Sequence, residues 1–183
     1  MKNESEIPFN SIITEPTILN LMGCVYYGNP FHSAGEWSYD NEIGNLWKRF
    51  MKLSMGHYRS FFQKVAKEPG IAYEMHLETS EFKETKRYYV FVGIETKKIN
   101  NQPLELFTKI LPETQYLQFT SKADDSKDAD YIMRKWLNTK STGYRQNYPF
   151  ILQRYDERYK GLHDLDSEID WMIPISFITK GKN

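Results

Sequence analysis

The first 70 residues of the chain contain an apolar segment followed by an amphipathic one. The segment PTILNLMGCVYYG, from Pro16, is apolar and rich in β-branched residues, which predicts a strand. After a polar loop, apolar residues in EIGNLWKRFMKLSMGHYRSFFQKVAKE recur at spacings of three and four, as on one face of a helix. Asp40 or Asn41 is a suitable N-cap for this helix, and Pro69-Gly70 predicts its end.

Two runs with strand character follow this helix and are joined by the polar connector TSEFKETK. In IAYEMHLE, alternation places Tyr73 on one face and Glu74 with His76 on the other. In RYYVFVGIE, Tyr89 and Phe91 share one face, and Tyr88 and the valines share the opposite one. We expect one face of the two strands to cover the helix and the other to be free to line a groove.

The second half of the sequence repeats this order of elements. TQYLQFTSKA predicts a strand, DSKDADYIMRKWLNT a helix, and PFILQRYDERY and EIDWMIPISF two more strands. The helical tryptophans Trp47 and Trp136 align the halves. We therefore predict an α+β domain over residues 13–183, preceded by a polar tail (1–12) and built from modules at about 13–98 and 113–178 with a linker at 99–112. Duplicated β-α-β-β modules packed around a pseudo-two-fold axis would give an antiparallel sheet, with helices on one side and a central cleft.

Composition and net charge indicate which kinds of partner and which compartment to expect. The 183 residues include 13 Tyr, 11 Phe and 4 Trp, while 24 basic and 24 acidic residues give a formal net charge of zero. Charge therefore favours neither direct nucleic-acid binding nor an acidic membrane surface. The sequence shows no signal segment and no apolar run near the roughly 18 residues that span a bilayer. The single cysteine, Cys24, cannot form an intramolecular disulfide, so we expect a cytoplasmic protein.

Familiar catalytic motifs are missing from the sequence. There is no Gly-rich phosphate loop, nucleophile elbow, Cys-x-x-Cys or His-Glu-x-x-His motif, so catalytic residues stay unknown and no cofactor is predicted. The four histidines lack metal-ligand spacing, and we predict no metal site. Cys24 lies in an apolar strand and is interpreted as a core residue.

The aromatic residues are the feature of the sequence that indicates ligand binding. Tyr and Trp offer apolar faces with a polar group, and an aromatic pocket with a buried carboxylate suits a flat or cationic ligand. Glu74, Glu157 and Glu168 interrupt aromatic or apolar runs, although alternating strands also place such residues toward solvent. Core packing and ligand binding both remain open for each ring.

Six ordered segments resemble the GyrI-like small-molecule-binding domain, the bacterial effector-binding domain associated with AraC-type and MerR-type transcription regulators. They are GEWSYDNEIGNLWKRF, IAYEMHLE, RYYVFVGIE, LPETQYLQFTSKA, YDERY and DSEIDWMIPI, and the resemblance runs from about Ile18 to Ile175. It implies two β-α-β-β modules with an effector cleft between them. It also implies binding of amphipathic, often cationic drugs through aromatic side chains and a buried glutamate. That glutamate lies in a Phe-Glu-x-Tyr context in the family, and here Gln153 of LQRY occupies the position, which puts cation preference in doubt.

Three functions follow from this resemblance. The first is a stand-alone protein, without its own helix-turn-helix, that binds a small amphipathic or aromatic ligand for sensing or sequestration linked to transcription. The second is a hydrolase of cyclopropanoid genotoxins that uses a Glu and a Tyr. The third is an interaction protein whose groove holds a segment of a protein partner; a homodimer also stays open. The predicted ligand-binding residues are Trp37, Trp47, Tyr73, Glu74, Tyr89, Phe91, Trp136, Gln153, Tyr155 and Trp171.

Overall fold

The computed structural model is an α+β protein of antiparallel strands and helices, and it describes residues 11–35, 38–98, 102–123, 126–138 and 143–178. The helices in these ranges are α1 (Glu42–Lys52), α2 (Arg59–Val65), α3 (Phe82–Thr85) and α4 (Ser126–Leu137). The strands are β1 (Ile12–Ile13), β2 (Thr17–Gly28), β3 (Ala72–Glu78), β4 (Tyr88–Glu95), β5 (Phe107–Lys122), β6 (Tyr144–Gln146), β7 (Phe150–Tyr155) and β8 (Glu168–Phe177). No helix in these ranges is long and apolar enough to cross a membrane. The predicted α+β class is confirmed.

The chain divides into two compact units. Ile18–Pro112 forms the N-terminal unit, and Glu113–Asn183 together with Met1–Thr17 forms the C-terminal unit. The predicted module boundaries and their pseudo-two-fold relation stay predictions.

The N-terminal unit is a three-stranded antiparallel arrangement covered on one face by helices. Strand β4 lies between β2 and β3, and Val92 pairs with Cys24 on one side and with Glu74 on the other. Because paired residues share a face, Cys24, Val92 and Glu74 form one row across the strands. Leu46 and Phe50 of α1 belong to the same buried cluster as Val92, so this row lies beneath α1.

Helix α1 begins as its sequence predicts, but it ends early. The side chain of Asn41 accepts a hydrogen bond from the backbone N–H of Gly44 at 2.9 Å, which confirms the predicted N-cap. The predicted single helix to about residue 68 is wrong, because a π-helical turn at Leu53–His57 separates α1 from α2. Gly56 has non-helical backbone angles within that turn, and α2 then ends at Val65.

The C-terminal unit places β8 at its centre. Strand β5 pairs with one side of β8, β7 and β6 pair with the other, and β1 pairs with β5. Trp171 pairs with Phe119 on β5 and with Gln153 on β7, so these three residues form one row.

The rows of the two units correspond closely. Gln153 holds the place that Glu74 has in the N-terminal unit, and Trp171 the place of Val92. Both pairs differ by 79 residues in sequence (153 − 74 and 171 − 92).

Three segments that were predicted to be irregular contain a strand or a helix. Strand β5 begins at Phe107, within the predicted linker, because FTKIL carries β-branched and aromatic residues that extend the strand. The polar connector between β3 and β4 contains α3, where Phe82 packs edge-on against Tyr88 with ring centroids 5.6 Å apart. Ile12, assigned to the polar tail, lies in β1 and pairs with Gln118. Residues 1–10 lie outside the described ranges.

Candidate functional site

Gln153 is a buried amide among aromatic side chains. It is 7% exposed, near the end of β7, and its Oε1 accepts a hydrogen bond from the Tyr155 hydroxyl at 2.5 Å. Residues two apart on a strand share a face, so this bond runs along the strand surface. Within the described part of the chain, the Nε2 of Gln153 donates to no acceptor. The amide therefore keeps an unused donor that is not fully enclosed by the protein.

The aromatic neighbours of Gln153 come from two other strands. Trp171 is its partner on β8, and Phe119 of β5 stacks on Trp171 with centroids 6.1 Å apart and planes at 5°. The indole N–H of Trp171 donates to the Ser121 hydroxyl at 3.0 Å, which fixes the ring. Tyr159 packs edge-on against Tyr155 at 4.8 Å. We call these residues the Gln153 cluster: Phe119, Ser121, Gln153, Tyr155, Tyr159 and Trp171.

An ion-pair network on the opposite face holds the turn that carries Tyr159. Arg158 binds Asp156 at 2.8 Å and Asp170 at 2.6 Å, and Arg154 also contacts both carboxylates. The hydrogen bonds from Arg158 hold the pKa of Asp156 at about 2, and the bonds to Asp156 and Asp170 raise the pKa of Arg158. Asp170 is buried, Asp156 is partly buried, and both carboxylates are paired. The network therefore orders the end of β7 without placing a charge in the Gln153 cluster.

Glu74 forms a second buried polar group, in the N-terminal unit. It is 5% exposed and accepts a hydrogen bond from the Trp47 indole N–H on Oε2 at 2.5 Å. Its Oε1 lies 2.7 Å from Nε2 of His76, which is two residues further along β3. Both carboxylate oxygens are thus engaged, one by helix α1 and one by its own strand. This carboxylate joins α1 to the sheet.

Three further predicted residues lie on the face of the N-terminal unit away from α1. Tyr73 and Phe91 are buried there, while Tyr89 is partly exposed and packs against Tyr27 with centroids 4.6 Å apart. Lys109 Nζ lies 5.8 Å from the Tyr89 ring. The structure therefore does not bring Tyr73, Tyr89 and Phe91 together with Trp47 and Glu74.

The remaining predicted residues are the two tryptophans Trp37 and Trp136. Trp136 is buried on α4 and stacks on Tyr144, whose strand partner is Phe177 at the far end of β8 from Gln153. Trp37 lies outside the described residues. Among the predicted residues that the structure describes, Gln153, Tyr155 and Trp171 are the ones that share a cluster in the C-terminal unit.

Comparison with known sequences and structures identifies the family. A sequence profile described as "Cass2: Integron-associated effector binding protein" matches residues 21–175. The chain belongs to this family. Comparison with curated protein sequences gives no significant match.

Solved structures share the fold of this effector-binding protein at low sequence identity. The integron cassette protein VCH_CASS2 of Vibrio cholerae is 14% identical, with a TM-score of 0.51 and coverage of 91% of this chain and 95% of that one. SAV2435, solved with tetraphenylphosphonium, is 9% identical with a TM-score of 0.61, and coverage is 92% and 94%. EcmrR in a DNA complex is 12% identical with a TM-score of 0.59, but only 57% of its chain is covered. The resemblance to GyrI-like effector-binding domains is confirmed, and the family binds small-molecule effectors.

Sequence patterns missed several members of the Gln153 cluster of this effector-binding protein. Phe119 and Ser121 join Gln153 only through the register of β5 on β8, which local alternation does not encode. Tyr159 follows β7 in a turn, and the repeated tyrosines of YDERY were the available signal. His76 was placed on the face of Glu74 by alternation, but its contact with the carboxylate was not predicted.

Reactive chemistry is not evident in the described residues. They contain no group of three or more His, Cys, Asp or Glu side chains suited to a metal ion. Cys24 is buried in the N-terminal unit, and burial raises the pKa of its thiol, which leaves it protonated and weakly nucleophilic. What the Gln153 cluster can do is offer stacking surfaces and a hydrogen bond to a ligand.

Proposed function

We propose that this effector-binding protein binds an amphipathic, aromatic, drug-like molecule at the Gln153 cluster of its C-terminal unit. The observation that carries the proposal is the buried Gln153 amide, which has an unused donor beside the Trp171 and Tyr155 rings. Aromatic walls with one oriented polar group are typical of small-molecule sites. Tyr155 and Tyr159 are only half-buried, so they form the exposed edge of the cluster.

Glu74 is the less suitable polar contact for a ligand. Its carboxylate oxygens already accept from Trp47 and face His76, at 2.5 and 2.7 Å. A ligand that used this group would have to replace one of these contacts and expose a buried charge, which costs more than using an open donor. This comparison supports Gln153 over Glu74 as the recognition residue.

The cellular role that we propose is ligand sensing or sequestration linked to transcription. SAV2435 was solved with a lipophilic cation, and EcmrR was solved on DNA. This chain covers 57% of EcmrR, and we propose that the domain binds the effector while DNA is contacted outside it. A homodimer is compatible with the same role.

Hydrolysis of a cyclopropanoid compound is less favoured by the site. That reaction requires a group that removes a proton from water while a Tyr hydroxyl protonates the opening fragment. At the Gln153 cluster the polar partner of Tyr155 is an amide, which has no basic oxygen at neutral pH. We expect bound compound to be recovered unchanged after prolonged incubation, as measured by mass spectrometry.

The test of binding is a thermal-shift screen of aromatic drugs and dyes, followed by titration of tryptophan fluorescence. A molecule that binds only the folded protein raises its melting temperature. We expect Trp171→Phe to reduce the quenching by a hit and Gln153→Met to weaken its affinity. Trp136→Phe is the matched control, because Trp136 lies on α4 beside Tyr144.

Two outcomes would contradict the proposed site. If a compound quenches the tryptophan fluorescence of Trp171→Phe as strongly as that of the wild type, it binds at another site. A screen without any stabilising compound would argue against small-molecule binding by the folded chain.

A further inference from the structure

The hydrogen bonds that Gln153 already makes determine which ligand group it can still bind. An amide side chain has one acceptor oxygen and two N–H donors. The Tyr155 hydroxyl uses the oxygen, at 2.5 Å, and the Nε2 donates to nothing in the described part of the chain. The Nε2 is not among the fully enclosed side-chain atoms that lack a partner, so an acceptor group of a ligand can reach it and replace water there.

The Gln153 cluster, as defined by its described residues, includes no acidic side chain. Phe119 and Trp171 are apolar walls, and the indole N–H of Trp171 already donates to Ser121. The charged residues of β7 and β8 alternate onto the opposite face, where Arg154 pairs with Asp170 at 3.0 Å. A cation that entered the Gln153 cluster would lose its hydration without gaining a carboxylate, which is unfavourable.

The N-terminal unit shows the opposite arrangement at the corresponding register position. There the polar residue of the row is Glu74, an anion with both oxygens occupied. The chain thus retains a buried carboxylate in one unit, where each oxygen has a protein partner, and an amide in the other, where a donor is open.

We propose that the ligand is an uncharged aromatic molecule with a strong hydrogen-bond acceptor, such as a carbonyl or phosphoryl oxygen, that receives the Nε2–H of Gln153. This inference rests on the proposed function, because it assumes that the Gln153 cluster is the binding site. It predicts that the protein prefers neutral acceptors to lipophilic cations of the same shape.

The test uses two probes that share three phenyl rings. Triphenylphosphine oxide is neutral and carries a P=O acceptor, whereas methyltriphenylphosphonium is a cation with a methyl group in place of that oxygen. Titration calorimetry and tryptophan fluorescence give their dissociation constants for the wild-type protein. We expect the oxide to bind about tenfold more tightly, the ratio that one satisfied buried hydrogen bond produces.

Three variants test whether the preference for the oxide over the phosphonium depends on Gln153. Gln153→Glu should reverse it, because a carboxylate attracts the phosphonium and repels the P=O dipole. Gln153→Met keeps a similar volume without a donor and should bring the two dissociation constants to within about twofold of one another. Gln118→Glu is the matched control, since Gln118 pairs with Met172 on the other face of β5 and β8 and adds the same charge. It should leave the preference unchanged, and circular dichroism and melting temperature check that each variant folds.

The outcomes separate the inference from the proposed function. If the phosphonium binds the wild type as tightly as the oxide or more tightly, and Gln153→Met weakens both, the site is correct and the neutral preference is wrong. If Gln153→Glu and Gln118→Glu have equal effects, the preference does not originate at Gln153. If neither probe binds up to its solubility limit, the proposed binding of aromatic ligands at this cluster fails, and the inference fails with it.

Discussion

The contact between Trp47 and Glu74 makes a strong prediction about stability. Glu74 is 5% exposed, and the indole N–H lies 2.5 Å from its Oε2. Trp47→Phe removes the donor but keeps an aromatic ring, so the carboxylate loses one of its two partners while staying buried. An unsatisfied buried acceptor costs about 1–3 kcal/mol, and a charged one lies at the upper end of that range. We expect Trp47→Phe to lower the free energy of unfolding by about 2–4 kcal/mol, including the lost ring contacts.

Trp136→Phe provides the control for the ring contacts. Trp136 is buried, with 7% of its surface exposed, and within the described part of the chain its Nε1 has no hydrogen-bond partner. Its replacement by Phe removes packing area and also removes an unsatisfied donor, so the two effects oppose one another. The substitution should therefore cost less than Trp47→Phe, by about 1 kcal/mol or more.

The assay is a double-mutant cycle measured by urea unfolding and followed by circular dichroism, which does not depend on tryptophan. The cycle combines Trp47→Phe with Glu74→Leu, because in the leucine background the indole N–H has no acceptor to lose. We expect a coupling free energy of about 1–3 kcal/mol. Coupling below about 0.5 kcal/mol, or equal costs for Trp47→Phe and Trp136→Phe, would refute the idea that Glu74 fastens α1 to the sheet.

Two further predictions concern a pH effect and a steric one. The pKa of Asp156 is held at about 2 against an ordinary 3.8, so its carboxylate stabilises the fold above pH 4, and this contribution is lost as the pH falls through 2. In urea titrations, Asp156→Asn should therefore be less stable than the wild type by on the order of 2 kcal/mol at pH 7, with the gap closing near pH 2; a gap independent of pH would contradict this. In Gly93→Ala the new Cβ would lie 2.3 Å from the backbone oxygen of Met22, so we expect a loss of about 1–3 kcal/mol by the same assay. Gly35→Ala, where the new Cβ meets nothing within 4 Å, should cost much less, and equal losses would show that this steric contact is unimportant.

The sequence predicted those parts of the fold that depend on short-range geometry. Alternation placed Glu74 and His76 on one face because side chains two apart on any strand point the same way. Asn41 was predicted as a cap because its side chain reaches the N–H three residues ahead. The break between α1 and α2 was missed, because the apolar spacing continues through Leu53–His57 even where the backbone leaves the helix.

The candidate site depended on contacts that no local pattern encodes. Gln153 meets Trp171 and Phe119 only when β5, β8 and β7 adopt one register, and Phe119 is 34 residues from Gln153 in sequence (153 − 119). Trp47 and Trp136 look equivalent in the hydrophobic pattern, yet Trp47 donates to a carboxylate and Trp136 stacks on Tyr144. The docking of each helix on its strands decides these contacts, and a spacing argument does not include it.

The correspondence between Glu74 and Gln153 gives a reason for their different chemistry. Both residues occupy the same register position in their units, and both contact the residue two places on, His76 and Tyr155. Helix α1 supplies a third group to Glu74 through Trp47, so each carboxylate oxygen has a protein partner. Gln153 lacks a third group within the described residues, and its donor stays open.

Because of this difference, we expect substitution of Glu74 to affect mainly stability and substitution of Gln153 to affect mainly ligand affinity. Replacing Glu74 should lower stability and leave ligand affinity nearly unchanged, because its partners are all protein groups. Replacing Gln153 by Met removes the unused donor but also the acceptor of the half-buried Tyr155 hydroxyl, so we expect a loss of stability of at most about 1 kcal/mol while affinity falls. If Gln153→Met instead destabilised the protein as much as Glu74→Leu, both positions would be structural, and the Gln153 cluster would lose its claim to be the binding site.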